Sequence, residues 1–165
     1  MVPERTELLT GLGQIPMILS RFVQSIPANR LDLRRGAKCW TIAEHVSHLA
    51  EVQPMLLGRL ERFTNEEHPE FAPYIPGDDE DEPETPATMA MEDALAQFAN
   101  YRAKQLALLK DVDNSAWKRP ATHPEYDRYS FYILVRHLLM HDYWHMYRME
   151  ELWLMAEDAY LTTLP

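Results

Sequence analysis

The segment Leu134–Leu152, LVRHLLMHDYWHMYRMEEL, keeps the period of a helix while two of its residues are out of character. Steps of four, three, four, four and three residues pass through Leu134, Leu138, His141, His145, Met149 and Leu152, the seam of a core-facing helix. Imidazoles occupy two consecutive positions where leucines belong. An imidazole nitrogen taken from water without a partner costs about 1–3 kcal/mol, and a second one a turn away doubles the problem unless something satisfies both. A metal ion is the most economical single partner, and histidines four apart on a helix reach one ion together. A hydrogen-bonded core pair is the plainer alternative, so a third ligand from another helix is what favours the ion.

The rest of the chain is read as three more helices. The first runs from about Pro3 to Gln24 through Leu8, Leu12, Ile15, Leu19 and Phe22, with Pro3 suited to a first turn and Pro16 predicting a kink or a late start. The second opens on a capping box, Thr41 to Glu44, and continues to about Phe63 with a bend at Pro54. The third spans about Met89 to Lys110, and the fourth about Ser130 to Ala156. No alternating run makes a convincing strand, so the class is all-α. Between helices two and three, Thr64 to Ala87 holds nine acidic residues, five prolines and no Lys or Arg, which predicts a long loop with Phe71, Tyr74 and Ile75 as anchors over the open end of the bundle. Asp111 to Tyr129 forms the connection before helix four.

With 165 residues, 46% of them hydrophobic, residues 1–165 are expected to form one globular domain. A net charge of −10 argues against a nucleic-acid partner, and the one basic stretch, Arg30, Arg34, Arg35 and Lys38, reads as a solvated loop. The lone Cys39 excludes an intrachain disulfide and suits a reducing compartment. Met1 to Glu7 lacks the pattern of an export signal and no apolar run reaches spanning length, so a cytoplasmic protein without membrane insertion is expected. Tyr143, Trp144, Tyr147, Trp153 and Leu154 lie off the main stripe of helix four, which leads to the expectation of a homodimer.

Helix two offers two candidates for the third ligand. Counted from Ile42, His45 falls nearer the centre of the apolar stripe and His48 about 80° round from it, so periodicity alone prefers His45. His137 is turned about 40° from His141, toward the edge of the seam. The pentapeptide His141-Asp142-Tyr143-Trp144-His145 falls one methylene short of the zinc-protease motif, with Asp where the general-base Glu belongs. A di-iron carboxylate bundle needs Glu-x-x-His pairs, and none occurs.

Trp40-Thr41-Ile42-Ala43-Glu44 with His48-Leu49, then Trp117 with Arg119, His123-Pro124, and finally His137-Leu138 with His141-Asp142 and His145, resemble the DinB-like (DinB/YfiT) superfamily. The resemblance covers helices two and four and the connection before helix four. It implies an antiparallel four-helix bundle in which one histidine of helix two and the H-x-x-x-H pair of helix four hold a divalent metal. Mapped residue by residue, these are His48, eight positions after Trp40, with His141 and His145; His45 stays as the alternative. The sequence departs from the family's pattern at Arg148, where many members have a glutamine, and at Asp127, where a glycine is common.

Three neutral imidazoles leave coordination positions open, as a catalytic site requires. The resulting expectation is a metal-dependent enzyme acting on a small-molecule substrate. The ion, which can be Zn, Ni, Fe or Co, activates a thiol or water nucleophile. The family resemblance implies S-transfer from a low-molecular-weight thiol, or hydrolysis. Arg148, one turn past His145, is the candidate contact for an anionic substrate, with a surface salt bridge as its ordinary role. A metal- or small-ligand-binding bundle without turnover, acting as a stress-response accessory, is the alternative function.

Overall fold

The computed structural model describes residues 4–36, 39–72 and 87–156, and among these are six α-helices, a 3-10 turn at Ala116–Lys118 and a β-hairpin. The readings of Pro3, Lys38, Tyr74, Ile75 and the acidic run 78–82 fall outside the described residues. Helix α1 is Arg5–Ser25, α2 is the single turn Ala28–Leu31, α3 is Ile42–Glu51, α4 is Gln53–Asn65, α5 is Met91–Asp111 and α6 is Phe131–Leu154. Strands β1 (Pro120–His123) and β2 (Tyr126–Ser130) precede α6. Four rods, α1, α3 with α4, α5, and α6, form the bundle.

Local chemistry explains where the rods begin and break. Thr41 caps α3 as expected: its Oγ1 accepts from Glu44 N at 3.2 Å, and its own N–H donates to Glu44 Oε2 at 2.7 Å. Helix α1 neither starts late nor stops at Pro16, which lies inside it. The bend expected at Pro54 is instead a break at Val52, which ends α3 and starts α4. Pro54 has no N–H for the carbonyl of Ala50, four residues earlier. Gln97 Nε2 on α5 donates to that oxygen at 3.1 Å. The carbonyl of Leu49 accepts from the Gln53 side chain at 2.8 Å, and Gln53 Oε1 accepts from Gln105 Nε2 at 3.0 Å. The break is thus repaired by amides, two of them carried on α5.

Contacts along the rods reveal their directions. His45 meets His145 and His48 meets His141, so α3 and α6 are antiparallel. Gly11 lies against Leu139 and Phe22 against Trp153, so α1 and α6 run parallel. The side chain of Leu139 passes 3.1 Å from where a Cβ on Gly11 would sit, a close approach that a larger residue would push apart. Ser47 meets Met89, Ala50 meets Gln97 and Gln53 meets Gln105, so α3 and α4 run parallel to α5. Parallel neighbours put the end of α4 and the start of α5 at opposite ends of the bundle, separated by a rod roughly 35 Å long.

The hairpin corrects the expectation of a chain without strands. Ala121 pairs with Tyr129 and His123 with Tyr126, and a parallel bridge joins Glu70 to Thr122. Strands of four and five residues give too little alternation to be seen, and Tyr-Asp-Arg-Tyr reads as a polar loop. Tyr129 packs on Phe71, Phe71 on Phe63, and Phe63 on Phe131, so Phe71 does anchor its segment. Arg119 Nη1 donates to the carbonyls of Phe63, Thr64 and Glu66, capping the end of α4 with a cation.

Buried apolar side chains form two clusters. One gathers Leu12, Leu60, Phe63, Leu109, Trp117, Phe131, Leu134 and Leu138. The other gathers Ile15, Leu19, Val46, Leu49, Phe98, Met149 and Leu152. Along α3, α4, α5 and α6 the residues between the clusters are polar and buried: Gln53, Arg102, Gln105, Asp142 and His145. Gln53→Leu is expected to strand the Leu49 carbonyl and the Gln105 amide and to lower stability by about 2–4 kcal/mol. Gln53→Leu with Gln105→Leu, which removes both amides, should recover a clear part of that loss in urea titrations.

Candidate metal centre

Antiparallel packing sets His45 and His48 of α3 opposite His145 and His141 of α6. The Nε2 atoms of His48 and His141 lie 3.3 Å apart, and those of His141 and His145 lie 3.1 Å apart. One nitrogen from each of His48, His141 and His145 falls within 4.8 Å of the other two. Ligand nitrogens about 2.0–2.1 Å from a tetrahedral ion stand about 3.3 Å from one another, so the observed spacings fit one divalent cation. Hydrogen bonding fits them less well, because the His141 Nε2 cannot be a donor to one imidazole and an acceptor from the other at once. His45 is placed differently. Its Nδ1 lies 2.8 Å from His145 Nδ1, the ring nitrogen opposite the one that faces His141.

Tryptophans wall the cluster. The Trp40 ring lies 5.3 Å from His45 and 5.0 Å from His48, and it stacks nearly parallel on His145 at 6.0 Å. Trp144 meets His145 edge-on at 4.8 Å. His45, His48 and His145 are buried, whereas the His141 side chain is 34% exposed, so the approach to the nitrogens lies on the His141 side. Burial, joined by the charge of Arg148, pushes His45 down to about 4. Burial and the neighbouring imidazoles push His48 down to about 3 and depress His145 as well. All three are neutral near pH 7, the form that donates a lone pair to a metal.

A buried ion pair stands behind the cluster. Asp142 Oδ2 accepts from Arg102 Nη2 at 2.6 Å, with both side chains essentially inaccessible. Asp142 Oδ1 and His141 Nδ1 each lack a hydrogen-bond partner among the described residues, and they lie 4.0 Å apart. A histidine that ligates through Nε2 carries its proton on Nδ1, and the nearby carboxylate, at 4.0 Å, lies beyond hydrogen-bond distance of it as the side chains stand. Sequence reasoning missed this pair. The available signal was Arg102 in line with the apolar positions Phe98, Leu106 and Leu109 of α5, a place where a charge demands a buried partner.

Among the sequence-derived candidates, His48, His141 and His145 come together, and Arg148 Nη1 donates to Glu151 Oε2 at 2.5 Å. His137 lies outside the cluster, half-buried, its ring against Tyr126 and Tyr129 of the hairpin. His68 shares a 2.9 Å hydrogen bond with Thr122, and His123 is buried against Tyr129.

The family profile of the DinB superfamily matches residues 12–154. No curated protein matches the chain. Among solved structures, YfiT from Bacillus subtilis, described as a probable metal-dependent hydrolase with an unusual four-helix bundle topology, aligns with a TM-score of 0.77 at 21% identity. The alignment covers 92% of this chain and 87% of YfiT, and at that identity the likeness is one of fold.

Because an unfolded chain protonates its histidines near pH 6.5 while the folded one keeps His45 neutral to about pH 4, the unfolded state binds more protons in that window. Stability of chelator-treated protein is therefore expected to be level above about pH 6.5. Below it, stability should fall by about 1.4 kcal/mol per pH unit for each buried neutral histidine. Urea titrations between pH 7.5 and pH 4.5 measure this, and a flat profile would contradict the buried neutral arrangement.

Proposed function

The chain belongs to the DinB superfamily, and we propose that it is a metal-dependent enzyme in which His48, His141 and His145 hold one divalent cation and a small-molecule substrate enters on the exposed side of His141. One observation carries the reading: imidazole nitrogens of His48, His141 and His145, from two helices, converge within 4.8 Å of one another, two of the three separations being 3.3 and 3.1 Å, the edge length of a coordination tetrahedron. When bound, such an ion polarises a carbonyl and lowers the pKa of a water or thiol that it takes up.

The residues around it prepare that chemistry. Depressed basicity keeps His48 and His145 from being lost to protons at neutral pH. Trp40 and Trp144 shield the buried flank, which keeps the local dielectric low and confines access to one face. Asp142, neutralised by Arg102, offers an acceptor behind His141 without adding net charge. The likeness to YfiT, a probable metal-dependent hydrolase, supports hydrolysis as the reaction, with water as nucleophile. Transfer of sulfur from a low-molecular-weight thiol is the second form of the same chemistry. Arg148 is the rim cation available to an anionic substrate, and such a substrate would compete with Glu151 for it.

No helix among the described residues is long and apolar enough to cross a membrane. We assign the protein to the cytoplasm, which suits the free thiol of Cys39. We also assign it a homodimer through α6, supported by the exposed row Met140, Tyr143, Trp144 and Tyr147.

Elemental analysis of protein purified without a histidine tag tests the metal reading. The wild type is expected to carry about one divalent ion per chain and His141→Ala with His145→Ala to lose it; equal contents in the two would end the proposal. Loaded protein is then assayed with ester, amide and thiol-acceptor panels, and stoichiometric metal without turnover on any panel would leave a binding protein. Tyr147→Asp should convert a dimer to a monomer in light scattering, and a monomeric wild type would overturn the assembly.

A further inference from the structure

His45 is the fourth imidazole of the cluster and has no place in the set of three. Its nearest polar atom is the rear nitrogen of a ligand: Nδ1 of His45 and Nδ1 of His145 are 2.8 Å apart, a hydrogen-bond distance, and both rings are buried. The opposite nitrogen of His145, Nε2, faces His141 at 3.1 Å. We propose that His45 is a positioning residue of the metal centre: its unprotonated Nδ1 accepts the Nδ1–H of His145 and so holds His145 in the tautomer whose Nε2 lone pair points at the cation. The inference rests on the reading that His48, His141 and His145 hold that cation.

Proton bookkeeping leaves one arrangement. Two nitrogens 2.8 Å apart share one hydrogen, so one ring donates and the other accepts. A neutral His145 that ligates through Nε2 must carry its hydrogen on Nδ1, which makes it the donor. His45 is then the acceptor and carries its own hydrogen on Nε2. Rotation is blocked on both sides, since Trp40 packs on both rings and Trp144 lies 6.3 Å from His45 and 4.8 Å from His145. Metal-bound histidines are ordinarily backed by a carboxylate, a carbonyl or water. Here the two ligands of α6 have different backing, with Asp142 behind His141 and an imidazole behind His145. A neutral acceptor orients its ligand without adding a negative charge, so the cation keeps more of its Lewis acidity. The spacing His45-x-x-His48 thereby delivers a ligand and the support of another ligand from one turn of α3.

The test uses Zn²⁺ affinity, measured by competition with a chromophoric chelator, together with long-range ¹H–¹⁵N correlations that report which nitrogen of His145 carries hydrogen. Wild type, His45→Asn, His45→Leu and the double variant His141→Ala with His145→Ala are compared. His45→Leu is expected to weaken Zn²⁺ binding 10- to 100-fold, the usual effect of losing such a support. His45→Asn, which can present an oxygen near the position of Nδ1, should stay within about threefold of wild type, and in both the wild type and this variant His145 should be protonated on Nδ1. Wild-type affinity in His45→Leu, equal losses in the two His45 variants, or His145 protonated on Nε2 would each overturn the positioning role while leaving the three-histidine site standing. Failure of the wild type to bind Zn²⁺, or unchanged affinity in the double alanine variant, would overturn the metal reading and this inference with it.

Discussion

Across the middle of the bundle, between two apolar clusters, polar side chains are buried that have to satisfy one another. Gln53 answers the Leu49 carbonyl and Gln105, Arg102 answers Asp142, and His45 answers His145. Each of these groups costs about 1–3 kcal/mol when it is buried alone, and an unpaired buried charge costs more. A one-turn slide of any of these rods would break two of the cross-rod pairs: α3 with α4 would lose Gln53–Gln105 and His45–His145, α5 would lose Gln53–Gln105 and Arg102–Asp142, and α6 would lose Arg102–Asp142 and His45–His145. The belt therefore specifies the register of three rods, and the same register brings three imidazole nitrogens to a common point. Fold specificity and the candidate metal centre rest on one set of contacts.

The path of the chain follows from that arrangement. Pro54 breaks the rod that carries His48, and amides, including Gln97 and Gln105 of α5, repair the break. α5 can serve this purpose because it lies parallel to α3 and α4, so that the long side chain of Gln97 reaches the Ala50 carbonyl and that of Gln105 reaches Gln53. Parallel order puts the end of α4 and the start of α5 at opposite ends of the bundle. It also leaves the far end of α4 to be closed by Arg119 and by the aromatic ladder Phe63, Phe71 and Tyr129 beneath the hairpin. The hairpin then hands the chain to Ser130, whose hydroxyl caps α6.

Much of the candidate site was legible in the residues. Histidines on a leucine seam marked α6, and the capping box of Thr41 and Glu44 placed the start of α3 to the residue. The spacing of a family resemblance singled out His48, where a helical wheel alone preferred His45. Both histidines are buried, so the wheel was right about burial and could not tell which of the two converges with His141 and His145. Arg102 and Asp142 escaped notice because each is one charge among many in the sequence, and only their meeting at 2.6 Å distinguishes them. The strands escaped because four or five residues carry too little period to be read against their polar composition.

Periodicity, capping residues and the placement of proline are local properties, and the sequence by itself determined through them the helices, their approximate ends and the histidines that have to be satisfied. Direction and register among the rods were decided only in three dimensions, since hydrophobic stripes are nondirectional and many pairings bury the same area. Which nitrogen faces which is a matter of ångströms between residues about a hundred positions apart, and hydrogen bonds, being short and directional, settle it after the backbone has been brought together.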